Sequence, residues 1–210
     1  TPTITGTTDL PVGSTISLTV IDSAGDTQTI SATVQADGTY SVDVPIALAE
    51  GNYSVVAIAT DTAGNSSSAN DSGSLDVTAP TITVDAPALT NDRTPTITGT
   101  TDLAAGSTVT LVVTDSAGVQ QTLTATVQTG GTYSVDVPSA LAEGNYSVVA
   151  TATDMAGNSN SANDSGRLDV TAPTITVDAP ALTNDRTPTI TGTTDLPANS
   201  TVTLVVTDSA

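Results

Sequence analysis

The stretch TPTITGTTDL occupies residues 1–10 and returns unchanged at residues 94–103 and 187–196, so the sequence repeats every 93 residues. Residues 1–93 and 94–186 differ at 17 positions, which leaves 76 identities. A fixed period this strong points to a repeat architecture. The unit is longer than a solenoid repeat of roughly 20–50 residues and matches one small β-sandwich of about 100 residues. We therefore expect a string of domains, each with its own core.

Within the copy at residues 79–171, short runs alternate threonine or serine with apolar residues, and turn residues separate the runs. Such alternation is typical of strands with one buried face. The runs predict seven strands: A at 81–85, B at 96–100, C at 108–114, a fourth at 122–127, E at 132–137, F at 145–153 and G ending at 167–170. Seven short alternating strands predict an immunoglobulin-like sandwich. The fold class is then all-β, with tandem sandwiches arranged as an elongated rod.

This register divides the chain into three parts. Residues 1–78 are expected to form an Ig-like repeat that lacks its first strand, and residues 79–171 a complete repeat. Residues 172–210 are expected to start a third repeat with strands A–C. Between strands E and F, Ala140–Glu143 predicts a short turn of 3₁₀ helix. Tyr146 and its counterpart Tyr53 begin strand F, where a sandwich places a corner tyrosine bonded to backbone, while Tyr40 and Tyr133 are expected to cover the core.

Composition limits what the protein can bind or catalyse. The chain has 22 acidic residues against three arginines, for a net charge of −19, and it has no lysine, histidine, cysteine, tryptophan or phenylalanine. The charge argues against nucleic acid or an anionic membrane as a partner. Thiol chemistry and histidine acid–base chemistry are excluded, and no apolar run is long enough to span a membrane. We expect a monomer without a small-molecule substrate, whose partners are the neighbouring repeats of the same chain.

The acidic residues fall mainly in loops and linkers, and the sandwich topology should gather several at each domain junction. Because strands alternate in direction, loops B–C and F–G share the end where strand A enters. Asp102 lies in loop B–C, Asp154 and Asn158 lie in loop F–G, and Asp76 precedes strand A. The first repeat should add its lower loops at this end, with Asp22, Asp26 and Glu50. The next junction repeats the pattern with Asp115, Glu143, Asp169 and Asp195.

Crowded carboxylates repel one another, and three arginines cannot compensate them. Calcium takes six to eight oxygen ligands from carboxylates, amides and backbone carbonyls, and the motif Asp-x-Ala-Gly-Asn at 61–65 and 154–158 supplies such oxygens from Asp61, Asn65, Asp154 and Asn158. Magnesium fits less well because it keeps several waters, and zinc lacks nitrogen or sulfur ligands. We therefore predict Ca²⁺ at the junctions. The alternative is that these acids are ordinary turn residues. Asp43 and Asp136 should face solvent, and Asp71 and Asp164 have no obvious partner.

Several motifs together resemble the bacterial Ig-like tandem repeats of giant secreted adhesins, including RTX-type and biofilm adhesins. They are residues 94–102, 131–138, 141–146, 152–158 and 169–173. The resemblance implies an extender region at the bacterial cell surface, outside the cell, that projects a distal ligand-binding domain. It also implies that calcium at the junctions stiffens the rod. The family's ligand roles fall on Asp76, Asp102 and Asp154 and on their repeat counterparts, including Asp9, Asp61, Asp169 and Asp195.

Two other functions compete with an extender. Repeats that themselves adhere to a glycan or protein need exposed aromatic residues or a shaped pocket, and the four tyrosines are expected in core positions. An enzyme would have to work without histidine, lysine or cysteine. A carboxylate pair of the glycosidase kind remains possible in principle, but it would need a cleft. We therefore expect no enzymatic activity.

Overall fold

The computed structural model describes residues 1–207, and within them every regular element is a β-strand. The first unit contains six strands: β1 (Thr3–Thr7), β2 (Thr15–Ile21), β3 (Thr27–Thr33), β4 (Thr39–Asp43), β5 (Gly51–Thr60) and β6 (Ser66–Leu75). They form two antiparallel sheets, one with β1 beside β4 and the other in the order β3-β2-β5-β6. The predicted all-β, Ig-like fold is confirmed.

The middle repeat has the same two sheets with one strand more. Its strands are β7 (Leu89–Thr90), β8 (Thr96–Thr100), β9 (Thr108–Thr114), β10 (Gln120–Thr126), β11 (Thr132–Asp136), β12 (Gly144–Thr153) and β13 (Ser159–Leu168). One sheet pairs β11 with β8, and the other runs β10-β9-β12-β13-β7. All these pairs are antiparallel except β13 with β7, which is parallel.

Each unit buries its own core between its two sheets. In β9 the side chains of Val109, Leu111 and Val113 are fully buried, while Thr110 between them is exposed and Val112 is half-buried, as the alternation predicts. A second, separate cluster fills the first unit around Ile16 and Leu18. Burying such side chains contributes about 1.5–3 kcal/mol each, so strands of this composition fold only as paired sheets with one apolar face inward.

The segment between the two cores departs from the prediction. Residues 81–85 were expected as a continuous strand, but only isolated bridges join Ile82 to Thr101 and Asp85 to Thr98. After Pro87 the chain crosses to the other sheet and pairs as β7, which the sequence pattern did not predict. A proline has no N–H to donate, so the ladder along β8 cannot continue through Pro87.

Two smaller expectations were wrong. Strand β13 ends at Leu168 rather than at Val170, because the following residues leave the sheet for the next junction. Residues 140–143 form no turn of 3₁₀ helix, and the backbone N–H of Leu141 instead donates to the carbonyl of Arg93 at 2.8 Å. That bond uses a long-range partner, so no local i→i+3 bond forms there.

Residues 172–207 form only two isolated bridges, Ile175 with Thr194 and Asp178 with Thr191. The predicted third strand of this segment is absent from residues 201–207, and residues 208–210 lie outside the described residues. Leu111 in the middle repeat is fully buried, whereas its counterpart Leu204 is 54% exposed. Within residues 172–207 no segment corresponds to β10 or β12, so this run has no neighbours with which to form a ladder.

Candidate metal centre at the junction between repeats

Four carboxylates from both units line one open cavity of about 780 Å³ at the first junction. Glu50 belongs to the loop between β4 and β5 of the first unit, and Asp76 to the connection between the units. Asp102 and Asp154 come from the loops that follow β8 and β12 of the middle repeat. These loops lie at one end of the sandwich because the strands alternate in direction, as we predicted from the sequence. Residues 78–80 form another part of the cavity wall.

An asparagine ties two of these acids together. The side-chain amide of Asn158 donates to Asp154 Oδ2 at 2.9 Å and to the backbone carbonyl of Asp76 at 3.1 Å. The first of these bonds is the largest cause that lowers the pKa of Asp154 below its usual value. The tight turn that presents both residues is closed by Gly157, whose φ of +95° favours glycine. The loop therefore holds a charged carboxylate and an amide side by side at the junction.

The two remaining carboxylates fix the connection between the units. Both oxygens of Glu50 accept from the hydroxyl of Thr78, at 2.7 and 2.8 Å. Asp102 Oδ1 accepts the backbone N–H of Thr81 at 2.9 Å. Glu50 thus holds the start of the connection, and Asp102 holds the point where it enters the middle repeat.

Asp22 and Asp115, which were predicted as ligands, are placed differently. Asp115 is only 9% exposed, and its carboxylate accepts the backbone N–H groups of Ala117, Val119 and Ala142 at 3.0, 2.9 and 3.1 Å. Asp22 accepts the equivalent set, and it does not line the junction cavity. These two carboxylates therefore accept hydrogen bonds from backbone N–H groups, and in this way each connects a turn to the neighbouring loop.

The second junction repeats the contacts of the first. Glu143 accepts the hydroxyl of Thr171 at 2.6 Å, and Asp195 accepts the backbone N–H of Thr174 at 2.9 Å. Asp169 accepts the backbone N–H of Thr171 at 3.2 Å. Asp169 also lies 3.7 Å from the guanidinium of Arg167, where the first repeat has Ser74. Because both groups are largely exposed, this pair adds little stability.

The predicted residues Asp9, Asp61 and Asn65 lie at the other end of the first unit, away from the cavity. There Asp61 Oδ2 accepts from the amide of Asn65 at 2.8 Å, as Asp154 does from Asn158. The hydrogen bond from Asn65 is also the largest cause that lowers the pKa of Asp61. This end of the first unit therefore presents the same loop as the middle repeat presents to the first junction.

The donor chemistry of the cavity fits calcium, although its carboxylates do not converge. Carboxylate, amide and backbone carbonyl oxygens are the ligands that calcium takes, and all three kinds are present. Among residues 1–207, however, no three acidic side chains lie close enough together to hold a metal ion. To bind an ion, these side chains would have to rotate toward the centre of the cavity. The amide of Asn158 would also have to rotate, so that its oxygen and not its nitrogen faces the ion.

Two junction residues were not predicted from the sequence. The hydroxyl of Thr78 donates a hydrogen bond to the carboxylate of Glu50. The side-chain amide of Asn160 donates to the backbone carbonyl of Pro80 at 3.0 Å. Neither residue is acidic, so a sequence interpretation based on carboxylates does not identify them. The first repeat has Ser67 in place of Asn160, and that difference between copies is the one signal that could have drawn attention to the position.

The tyrosines occupy core positions, as expected. Tyr133 and Tyr146 are each 2% exposed, Tyr40 is 8% exposed and Tyr53 is half-buried. The hydroxyl of Tyr146 donates to the backbone carbonyl of Pro87 at 2.6 Å, so its partner is the segment before β7 rather than nearby backbone. Asp43 and Asp136 face solvent, as predicted. No helix in the described part of the chain is long and apolar enough to cross a membrane.

Solved structures similar to this chain include three adhesin fragments. A tetra-tandem repeat from the extending region of a large adhesion protein is 37% identical, with a TM-score of 0.44, and the match covers 91% of this chain and 52% of that one. A Ca²⁺-stabilized adhesin that helps an Antarctic bacterium reach out and bind ice is 30% identical, with a TM-score of 0.42 and coverage of 84% and 46%. A 1.5-MDa bacterial ice-binding adhesin is 25% identical, with a TM-score of 0.44 and coverage of 84% and 61%.

The chain therefore spans about half of the first two of these structures. No curated protein is similar enough to match it. The family model described as bacterial Ig-like domain matches residues 1–81 and 74–174, which is most of the chain and both of its sandwich units. With the repeated sandwich, its separate cores and this match, the chain belongs to the bacterial Ig-like domain family.

Proposed function

We propose that these repeats are a structural extender of a bacterial surface adhesin, and that calcium bound at the junctions holds successive repeats in a fixed orientation. In this role the chain works outside the cell, catalyses no reaction, and projects a distal binding domain. The observation that carries the proposal is the junction cavity, to which both units contribute carboxylates. Similar repeats are described as the extending region of a large adhesion protein, and a similar adhesin is described as Ca²⁺-stabilized.

The residues that would hold the ion are Glu50, Asp76, Asp102 and Asp154, with an amide oxygen from Asn158. When bound, calcium supplies positive charge among acids that would otherwise repel one another across the junction. Glu50 belongs to one unit, while Asp102 and Asp154 belong to the next. An ion that needs oxygens from both units therefore resists bending between them, whereas small interfaces between domains otherwise allow motion.

A calcium titration of the 210-residue chain tests the proposal. We expect calcium to raise the melting temperature and to lengthen the maximum dimension in small-angle X-ray scattering. At a free concentration about 100 times Kd, binding to the folded state alone adds about 2.7 kcal/mol. For a domain of this size, 1 kcal/mol shifts the melting temperature by roughly 4–8 °C. Magnesium at the same concentration should have a smaller effect, because it keeps its waters.

The double variant Asp102→Asn with Asp154→Asn should lose most of this calcium response. Its matched control is Asp43→Asn with Asp136→Asn, which removes the same charge from exposed strand positions and should keep the response. If chelation with EDTA leaves both the melting curve and the scattering profile of the wild-type chain unchanged, the calcium part of the proposal is wrong. An equal loss of response in both double variants would show that total charge matters rather than the junction.

A further inference from the structure

Glu50 lies in a loop without regular structure, yet the main chain of that loop is held at several points. Residues 44–50 between β4 and β5 contain no strand, and the side chain of Glu50 is exposed. A ligand on a mobile loop loses conformational freedom when it binds an ion, and this loss weakens binding. The neighbouring turn at residues 22–26, which joins β2 to β3, removes much of that freedom through direct contacts with the loop.

Two hydrogen bonds fix the main chain at Glu50 itself. The hydroxyl of Ser23 donates to the backbone carbonyl of Glu50 at 2.5 Å. The backbone N–H of Ala49 donates to Asp22 Oδ2 at 2.9 Å. Gly51 follows with a φ of +115°, and a Cβ at that position would lie only 2.9 Å from the Cβ of Ser23. Glycine is therefore needed where the chain leaves Glu50, because any other side chain would be strained and would collide with the turn.

A glutamine on β3 holds the start of the same loop. The side-chain amide of Gln28 donates to the backbone carbonyl of Ile46 at 2.9 Å, and its oxygen accepts the backbone N–H of Ile46 at 3.1 Å. A residue on a neighbouring antiparallel strand would exchange the same two bonds. Between these contacts and Glu50, the side chain of Leu48 is buried in the core. The loop is thus anchored along most of its length, although it contains no strand.

The middle repeat forms the same contacts. The hydroxyl of Ser116 donates to the backbone carbonyl of Glu143 at 2.6 Å, and Gln121 exchanges two hydrogen bonds with the main chain of Ser139, at 2.9 and 3.0 Å. Ser139 stands where the first repeat has Ile46, so the glutamine holds this main chain whichever side chain is present. In both repeats the anchored loop ends on the glutamate that accepts a threonine hydroxyl from the following connection.

We propose that Ser23, together with Asp22 and Gln28, positions Glu50 for calcium binding at the first junction, without touching the ion. The inference rests on the calcium site proposed above. A loop that is already ordered loses less conformational entropy when its carboxylate binds an ion, and this preorganisation raises the affinity. Asp22, which lies outside the junction cavity, thereby contributes to the site through the main chain of the loop rather than as a ligand.

Ser23→Ala and Ser116→Ala form a matched pair, because each removes the same hydrogen bond from an exposed position. Ser116 follows β9, at the end of the middle repeat that faces away from Asp102 and Asp154. If the contact only stabilises each sandwich, both variants should lower the calcium-free melting temperature by a similar amount and leave calcium binding at the first junction unchanged. If the contact positions Glu50, Ser23→Ala alone should weaken calcium binding there.

A calcium titration followed by NMR measures binding at the first junction separately from any binding at the second. The backbone amide shifts of residues 101–104 and 154–158 in the full chain, plotted against free calcium, give the dissociation constant. We expect Ser23→Ala to raise it roughly three- to tenfold, which is the net contribution of one hydrogen bond expressed as an affinity. Ser116→Ala should keep the wild-type value. Ser23→Thr retains the hydroxyl and should bind calcium nearly as tightly as wild type.

Gln28→Ala and Gln121→Ala repeat the comparison at an independent contact, and only Gln28→Ala should weaken binding at the first junction. If every variant keeps the wild-type dissociation constant, the positioning role is wrong while the calcium site stands. Equal weakening by both members of a pair also overturns the positioning role, because overall stability and not the placement of Glu50 would then control binding. A wild-type chain whose first-junction amides do not respond to calcium overturns the calcium site and this inference together.

Discussion

At the scale of single residues, the acidic residues fall into two groups, according to which groups donate hydrogen bonds to their carboxylates. Asp115 accepts three backbone N–H groups and is nearly buried, while Asp154 accepts from an asparagine at the edge of an open cavity. The backbone N–H of Ala142 is the largest cause that lowers the pKa of Asp115. A carboxylate held in this way stabilises the fold only while it is charged. Asp115 is therefore a structural residue, and its charge links stability to pH.

We expect Asp115→Asn to lower the melting temperature at neutral pH and to weaken the loss of stability in acid. The folded-state pKa of Asp115 is depressed, so its contribution is fully present above the unfolded-state pKa, near 3.8, and is lost as pH falls through the folded-state pKa. The amide cannot accept all three N–H groups and adds donors that face them. Melting curves from pH 7 down to about pH 2 measure both effects.

The control for this prediction is Asp136→Asn, which changes an exposed acid on β11 whose carboxylate accepts the hydroxyl of Thr96. It should change the neutral melting temperature little. If Asp115→Asn and Asp136→Asn give the same acid dependence, then general charge repulsion, and not the backbone contacts of Asp115, sets the pH response.

At the scale of elements, the segment 79–90 completes the middle sandwich. Tyr146→Phe removes the hydroxyl that donates to Pro87 O and leaves that carbonyl without its partner. An unpaired buried group costs about 1–3 kcal/mol, and the lower end of that range applies here because Pro87 is half-buried. We expect the transition of the middle repeat to fall by roughly 4–8 °C per kcal/mol in calorimetry.

Tyr53→Phe is the matched control for this change, because it lies at the same position of the first unit. Within residues 1–207 the hydroxyl of Tyr53 has no hydrogen-bond partner, and the side chain is half-buried. Its loss should leave the melting temperature nearly unchanged. Equal destabilisation by both substitutions would mean that the contact with Pro87 contributes nothing.

The strands themselves were predictable, and the segment that joins the sheets was not. Alternation gave β8 and β9 at their observed bounds, because one buried face repeats with period two. Hydrogen bonds between residues far apart leave no such local pattern. Tyr146 and Pro87 are 59 positions apart, and Asp164 and Ala86 are 78 positions apart. The end of the sandwich at which the acidic residues gather could be predicted, because it follows from the order and direction of the strands. The backbone partners of Asp115 could not be predicted, because one of them lies in a distant loop.

At the scale of the whole molecule, two nearly identical units sit in different surroundings. Strands β5 and β12 differ only at Ile58 and Thr151, yet β12 is more deeply buried. Ala150 and Ala152 are fully buried, whereas their counterparts Ala57 and Ala59 are only partly buried. Because the sequences match, the difference reflects the segment 79–90, which packs on the middle sandwich. Among the described residues no segment takes the equivalent place on the first unit.

We therefore expect amide hydrogen exchange to be slower in β12 and β13 than in β5 and β6. Exchange of a strand amide requires local opening, and a unit with more buried contacts opens less often. Mass spectrometry on peptides from residues 51–60 and 144–153 compares the two directly, since near-identical sequences have near-identical intrinsic rates. Equal protection of both pairs of strands would mean that residues 79–90 add no stability to the sandwich that they cover.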